Sequence, residues 1–247
     1  MKFIAIISIA ISLAACSSTR TVKEQLSVDL KSPSISVGTV GAQFDKFLSI
    51  GGLRKSNIAV NYFPNEDAVC LQYKSELITY YQFWDKANRD AFVSALEKYK
   101  EDYAQRNLGK SSRKTKRNYG TFEGYIIWQL SQYTVPAYGY PKIEIGYYFK
   151  DKSPYFSINQ RKAEFLDELS QSKKESLEIM IYFTRAQADS LAALFDQQYL
   201  QKLRTGNTDK ASSQPDVDFY SESYNSEPYI EADIESNTNQ NAEQDEY

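Results

Sequence analysis

Between Ile35 and Arg204 the order of apolar and polar residues alternates between a period of two and a period near 3.6. Val37-Gly38-Thr39-Val40 and Phe44 to Ile50 are rich in apolar residues, Gly51-Gly52 breaks the run, and Ile58, Val60 and Tyr62 then alternate with Ala59 and Asn61. Such alternation predicts a strand with one buried face. Pro64-Asn65-Glu66-Asp67 has the residue types of a turn, and Val69, Leu71 and Tyr73 resume the alternation, which predicts a hairpin. A further strand is expected from Leu77 to Trp84. Asp85 then has the side chain of a helix N-cap, and Phe92, Ala95, Leu96, Tyr99 and Tyr103 recur at helical spacing to near Asn107.

The same order follows a second time. Tyr119-Gly120-Thr121-Phe122 echoes Val37 to Val40, and Ile143, Ile145 and Tyr147 echo Ile58, Val60 and Tyr62. Lys150 to Ser153 reads as a turn, Phe156 and Ile158 continue the hairpin, and Leu177 to Phe183 repeats the last strand. Trp84 to Asp90 is matched by Phe183 to Asp189, with Thr184 and Gln187 at capping-box spacing. Arg161 to Glu175, carrying Phe165, Leu166 and Leu169, has no counterpart in the first half and reads as a charged helical insertion. The expected fold is therefore α+β: two tandem repeats of several antiparallel strands followed by one helix, related by a pseudo-twofold. The expected divisions are a signal at 1–15, a tether at 16–34, repeats at 35–109 and 119–204 joined by a basic linker at 110–118, and an acidic disordered tail at 205–247.

Composition changes this picture in two ways. At 42% hydrophobic and 25% charged the chain is ordinary for a globular protein. It has no histidine, which removes the commonest general base, the commonest zinc ligand and every Ser-His or Cys-His nucleophilic arrangement. Charge is also uneven: residues 205–247 hold eleven Asp or Glu against Lys210 alone, so a basic body carries an acidic end.

The first sixteen residues carry the most specific signal. Lys2 precedes an apolar run from Phe3 to Ala15, too short to span a bilayer, that ends in Leu13-Ala14-Ala15-Cys16. This ending resembles the lipobox of bacterial lipoproteins. The resemblance implies cleavage before Cys16, acylation of that cysteine, and a membrane partner reached through the N-terminal lipid. Ser17 then implies, by the sorting rule of Gram-negative lipoproteins, the outer membrane, on its periplasmic or its surface face. Acylated Cys16 would leave Cys70 as the remaining thiol, between Val69 and Leu71 where a small buried hydrophobe is expected.

Candidate chemistry beyond this is sparse. Ala104 to Ser111 nearly fits the phosphate-loop pattern but follows a helix instead of a strand, so nucleotide binding is not expected. Lys110, Arg113, Lys114, Lys116 and Arg117 could contact an anionic surface, although no nucleic-acid motif accompanies them and none is expected as partner. Of 20 tyrosines, Tyr133, Tyr138 and Tyr140 flank Pro136 and Gly139 in a loop where no strand face requires them, which makes them candidate ligand-binding residues. Glu164, Asp167 and Glu168 read as a solvated helix face. No catalytic residue, metal site or cofactor is expected. The sequence points to a lipid-anchored, non-enzymatic envelope protein that binds or scaffolds another envelope protein, with polysaccharide or peptidoglycan binding as the alternative.

Overall fold

The structure is a computed structural model that describes residues 25–45, 52–109, 116–130, 134–167 and 172–206. The first strands follow the expected pattern: β1 (Ile35–Asp45), β2 (Leu53–Phe63), β3 (Ala68–Ser75) and β4 (Ile78–Trp84) lead into helix α1 (Lys86–Ala104). Asp85 caps α1, its carboxylate accepting from the Asn88 N–H at 2.8 Å. Then come β5 (Lys116–Glu123), β6 (Tyr125–Gln129), β7 (Ala137–Gly139), β8 (Lys142–Lys150) and β9 (Ser153–Gln160). A small hairpin of β10 (Glu164–Asp167) and β11 (Ser172–Glu175) precedes β12 (Ile179–Phe183), α2 (Arg185–Leu194) and α3 (Gln197–Thr205).

Ten of the strands form one antiparallel sheet in the order β5-β8-β9-β12-β1-β2-β3-β4-β6-β7. The sheet curls strongly. In a flat sheet β9 and β4, five places apart, would be separated by about 24 Å. Instead Gln160 of β9 accepts at Oε1 from Gln82 Nε2 of β4 at 3.0 Å and from the Tyr73 hydroxyl of β3 at 2.9 Å. The corner is made by a single chain segment: β5 lies beside β8 at one edge, and after Gly124 the same strand direction continues as β6 beside β4. The Gly124 N–H donates to the Pro141 carbonyl at 3.0 Å, which keeps the β5–β6 and β7–β8 ladders continuous through the bend. The result is a half-barrel whose two sides face each other across the core.

The concave side holds the main core and the helices. Trp84 sits where all layers meet, with ring centroids 5.0 Å from Phe122, 5.4 Å from Phe195 and 5.7 Å from Phe92. Phe92 and Tyr99, both on the expected stripe of α1, pack on Phe156 of β9. Each fully buried side chain of this size contributes about 1.5–3 kcal/mol, which is what holds helices of ordinary propensity in place. The sheet admits close backbone approach at Gly146, where a Cβ would lie 1.8 Å from the Arg117 carbonyl oxygen, so no larger residue fits beside the β5 bulge.

These contacts overturn the α+β expectation. The molecule is mostly β, and the two stretches of similar pattern do not form tandem strand-and-helix repeats related by a pseudo-twofold. Strands from the second half flank the first half on both sides, β12 beside β1 and β6 beside β4, so one continuous sheet replaces two units. Periodicity reports which face of a strand is buried but not which strand lies next to it. The 161–175 stretch is also not a helix: Glu164 to Asp167 pair with Ser172 to Glu175 in the small hairpin. Four apolar residues in so short a segment satisfy either period. The last helix, read as one, is broken at Asp196, whose side chain accepts from the Tyr199 N–H at 2.7 Å and starts α3. The described part of the 16–34 stretch is packed: Val28 is buried with Phe63, Ala68, Cys70, Phe83, Tyr125 and Ile127 on the convex side.

Candidate functional site: the open end of the half-barrel

The two ends of the half-barrel differ. At the end carrying the β2–β3 turn and the start of α1, Arg89 is buried and donates to the Asp67 and Trp84 carbonyls, the Asp67 carboxylate and the Gln197 side chain. The other end carries the β3–β4 turn, the facing ends of β6 and β7 and the β10–β11 hairpin, and among the described residues it is open. Among the described residues the ladder between β1 and β12 pairs Gln43 with Tyr182 and Phe44 with Ile181. Where these strands part, a cleft of about 530 Å³ opens. Its walls are Phe44, Leu177, Ile179 and Met180, and Asp45, Glu76, Lys162 and Glu178 stand at its rim.

Most of the rim charge is compensated locally. Lys150 Nζ meets the Asp45 carboxylate at 2.5 Å, and the Tyr182 hydroxyl donates to the same group at 2.9 Å. Burial, then the hydrogen bond to Asp45, pushes the Tyr182 hydroxyl pKa up. Arg161 bridges Glu144 and Glu178 at 2.9 and 2.5 Å, and its hydrogen bond to Glu144 holds its pKa up. Lys162 approaches Glu175 at 3.9 Å. Asn159 differs. It lines the cleft, is 7% exposed, and donates to Glu144 at a long 3.4 Å. Its Oδ1 is a buried acceptor with no hydrogen-bond partner among the described residues. An unpaired buried acceptor costs about 1–3 kcal/mol, a cost shared by Glu66 Oε2 and Arg89 Nε at the closed end, so it does not single out this cleft.

The candidate residues from the sequence are scattered. Tyr138 lies on the short strand β7, 48% exposed, with its ring 4.8 Å from Phe165 of β10. Tyr140 is half-buried against Tyr125 at 5.2 Å. Tyr125 therefore joins the two, being 6.3 Å from Tyr138. Tyr133 lies outside the described residues, as do Lys110, Arg113, Lys114 and Cys16. Lys116 and Arg117 belong to β5 and not to a linker, and Arg117 pairs with Asp102 at 2.8 Å while lying over the Tyr119 ring. The near phosphate-loop pattern begins at the last residue of α1, Ala104, and the Gly109 carbonyl accepts from the Tyr147 hydroxyl at 3.5 Å. Cys70 is buried and burial pushes its thiol pKa up, away from reactivity. Among the described residues no cluster of three His, Cys, Asp or Glu is placed to hold a metal ion.

Sequence reasoning missed Asn159 and the cleft, because its walls come from β1, β12 and the stretch before β12, which lie some 135 residues apart in the chain and meet only through the pairing of β1 with β12. One signal was available. Leu77 in the β3–β4 turn, and Leu130 and Val135 on either side of the β6–β7 tip, are apolar residues at positions that ordinarily carry polar ones. All three are exposed.

Among known proteins, a family model described as an uncharacterised Treponema protein matches residues 18–202. No curated protein and no solved structure matches the chain. With three-quarters of its length matched, the chain belongs to that family of uncharacterised Treponema proteins.

Proposed function

We propose that this protein is a lipid-anchored, non-enzymatic component of the bacterial cell envelope, held at the outer membrane by acylated Cys16, whose open-end cleft binds a segment of another envelope component. The anchoring half of the reading is supported by Leu13-Ala14-Ala15-Cys16 after a short apolar run, with Ser17 following. Two acyl chains, unlike one, hold a protein at a membrane stably. The binding half rests on one observation: a cleft of about 530 Å³ lined by Phe44, Leu177, Ile179 and Met180, a volume within the ordinary range for ligand sites. The non-enzymatic reading draws on the absence of histidine from the whole sequence, which removes the commonest base for activating a nucleophile.

The reading is tested in two steps. Cys16→Ala should abolish acylation and release the protein from membranes; unchanged membrane association would end the anchoring claim. A photo-crosslinking residue at Met180 or Glu76 should give one discrete adduct in living cells, absent when the same residue stands at Val93 on α1. Identical patterns from cleft and helix would remove the cleft as the site. A second reading, polysaccharide or peptidoglycan binding, draws on the contiguous Tyr138, Tyr125 and Tyr140 rings. It requires the isolated protein to bind such a polymer and to lose binding on Tyr138→Ala with Tyr140→Ala. Hydrolysis of the polymer would refute the non-enzymatic claim.

A further inference from the structure

Five large apolar side chains are exposed among the described residues, and four of them lie together: Leu77, Leu130, Val135 and Tyr138. The fifth, Val93, stands alone on α1 and is the least exposed at 38%. The ladder fixes the position of the others. The last rungs at this end are Ser75 with Ile78, Thr79 with Gln129 and Trp128 with Ala137. Leu77 lies inside the first of these, Leu130 one residue beyond Gln129, and Val135 two residues before Ala137. The aliphatic side chains therefore project past the same edge of the sheet, 71%, 58% and 79% exposed, with the Tyr138 ring one step behind them. Aliphatic tips backed by a half-exposed tyrosine have the layering of a surface seated in the headgroup region of a bilayer, where aromatic rings with one polar end collect.

The length of chain before the body says which bilayer this is. Nine Cα-to-Cα steps, across the eight residues Ser17 to Glu24, separate the lipid-bearing cysteine from Gln25. Fully extended, they reach about 30 Å. The chain leaves the body beside β6 and β7, because the Ser27 side chain hydrogen-bonds the Tyr125 hydroxyl and Leu26 packs on the convex cluster that contains Tyr125 and Tyr140. From Tyr125 along β6 to Leu130 is about 17 Å. A segment of that length is long enough to reach past the tips, but with little chain to spare, so an anchor at Cys16 keeps the apolar end within reach of the membrane.

We infer that Leu77, Leu130 and Val135, with Tyr138 behind them, seat the open end of the half-barrel on the bilayer that carries the protein's own N-terminal lipid. This inference rests on the proposed acylation of Cys16. Charge at this end is mixed, with Lys162 and Lys174 beside Glu164 and Glu175, so seating is apolar and insensitive to ionic strength and to anionic lipid. It also turns the mouth of the cleft toward the membrane side of the molecule.

The test uses the full acylated chain in phosphatidylcholine vesicles, with a nitroxide attached in turn to Leu77→Cys, Leu130→Cys, Val135→Cys and, as control, Val93→Cys. Cys70 is 1% exposed and does not compete for the label. The expected ratio of oxygen to nickel-chelate accessibility at 77, 130 and 135 is roughly tenfold above that at 93, as for groups sunk 5–10 Å into the interface. Raising the salt leaves it unchanged. Water-like values at 130 and 135 in protein that still floats with the vesicles overturn the seating while leaving the anchor intact. Protein that does not float, and whose Cys16 carries no lipid by mass spectrometry, overturns the anchor and the seating with it.

Discussion

The two ends of the half-barrel are built from the same strands and meet opposite fates. At the closed end, a buried cation is tied to its neighbours: Arg89 makes four hydrogen bonds to Asp67, Trp84 and Gln197, Asp85 caps α1, and the Tyr62 hydroxyl donates to Asp67 at 3.0 Å. At the open end, large apolar side chains are exposed instead. Stability resides where the residue types and their surroundings agree. Where they disagree, the surroundings that would satisfy them lie outside the chain.

This contrast can be broken by substitution. The largest effect is expected at the closed end. Arg89→Met removes the donor to the Asp67 and Trp84 carbonyls and one partner of the Asp67 carboxylate, and unfolding in denaturant should show a loss of about 3 kcal/mol. A loss below 1 kcal/mol would mean that this end is not the stable one.

Alkaline pH should act on both ends. Tyr62 is pushed from 10.0 up to about 12, by burial first and then by the Asp67 hydrogen bond. Tyr73, Tyr80, Tyr119 and Tyr182 are also raised, each chiefly by burial. A tyrosine whose pKa is raised on folding stabilises the fold fully below its unfolded value and loses that contribution as pH climbs toward its folded one. The thermal midpoint should therefore hold to about pH 9 and fall between about 10 and 12, and Tyr62→Phe should make the fall shallower. A midpoint flat to pH 12 would contradict the burial of these hydroxyls.

The middle of the barrel should respond less. Tyr73→Phe removes the donor to Gln160 at 2.9 Å, and an expected loss of about 1–2 kcal/mol would be read in the same denaturant experiment. The smallest effect belongs to the open end: Leu77→Ser, Leu130→Ser and Val135→Ser should each change stability by less than about 0.5 kcal/mol. A large loss at any of them would show that the tip is part of the core.

Much of the local structure was legible. The Asp85 cap and the Thr184–Gln187 capping box are both present, the latter with Gln187 N–H on Thr184 Oγ1 at 3.3 Å and Thr184 N–H on Gln187 Oε1 at 2.9 Å. The stripe Phe92, Ala95, Leu96 and Tyr99 is buried, as is Cys70. These features depend on neighbours within one turn or on alternate residues of one strand, distances that spacing encodes. The candidate site was barely legible. Tyr138 and Tyr140 were found as loop aromatics, but Phe44, Asn159 and Ile179 look like any strand residues until the strands are arranged.

The sequence alone determined the strand faces, the starts of α1 and α2 and the absence of imidazole chemistry, because each is a property of residue type at short spacing. Only the tertiary structure decided that one ten-stranded sheet replaces two repeats, that Gly124 carries a strand from one edge to the other, and that one end stays open. Partner choice between strands is made by contacts such as Gln160 with Gln82 and Tyr73, which join residues 78 and 87 positions apart. No local period can carry that information, since the energy that selects it exists only when the sheet has curled.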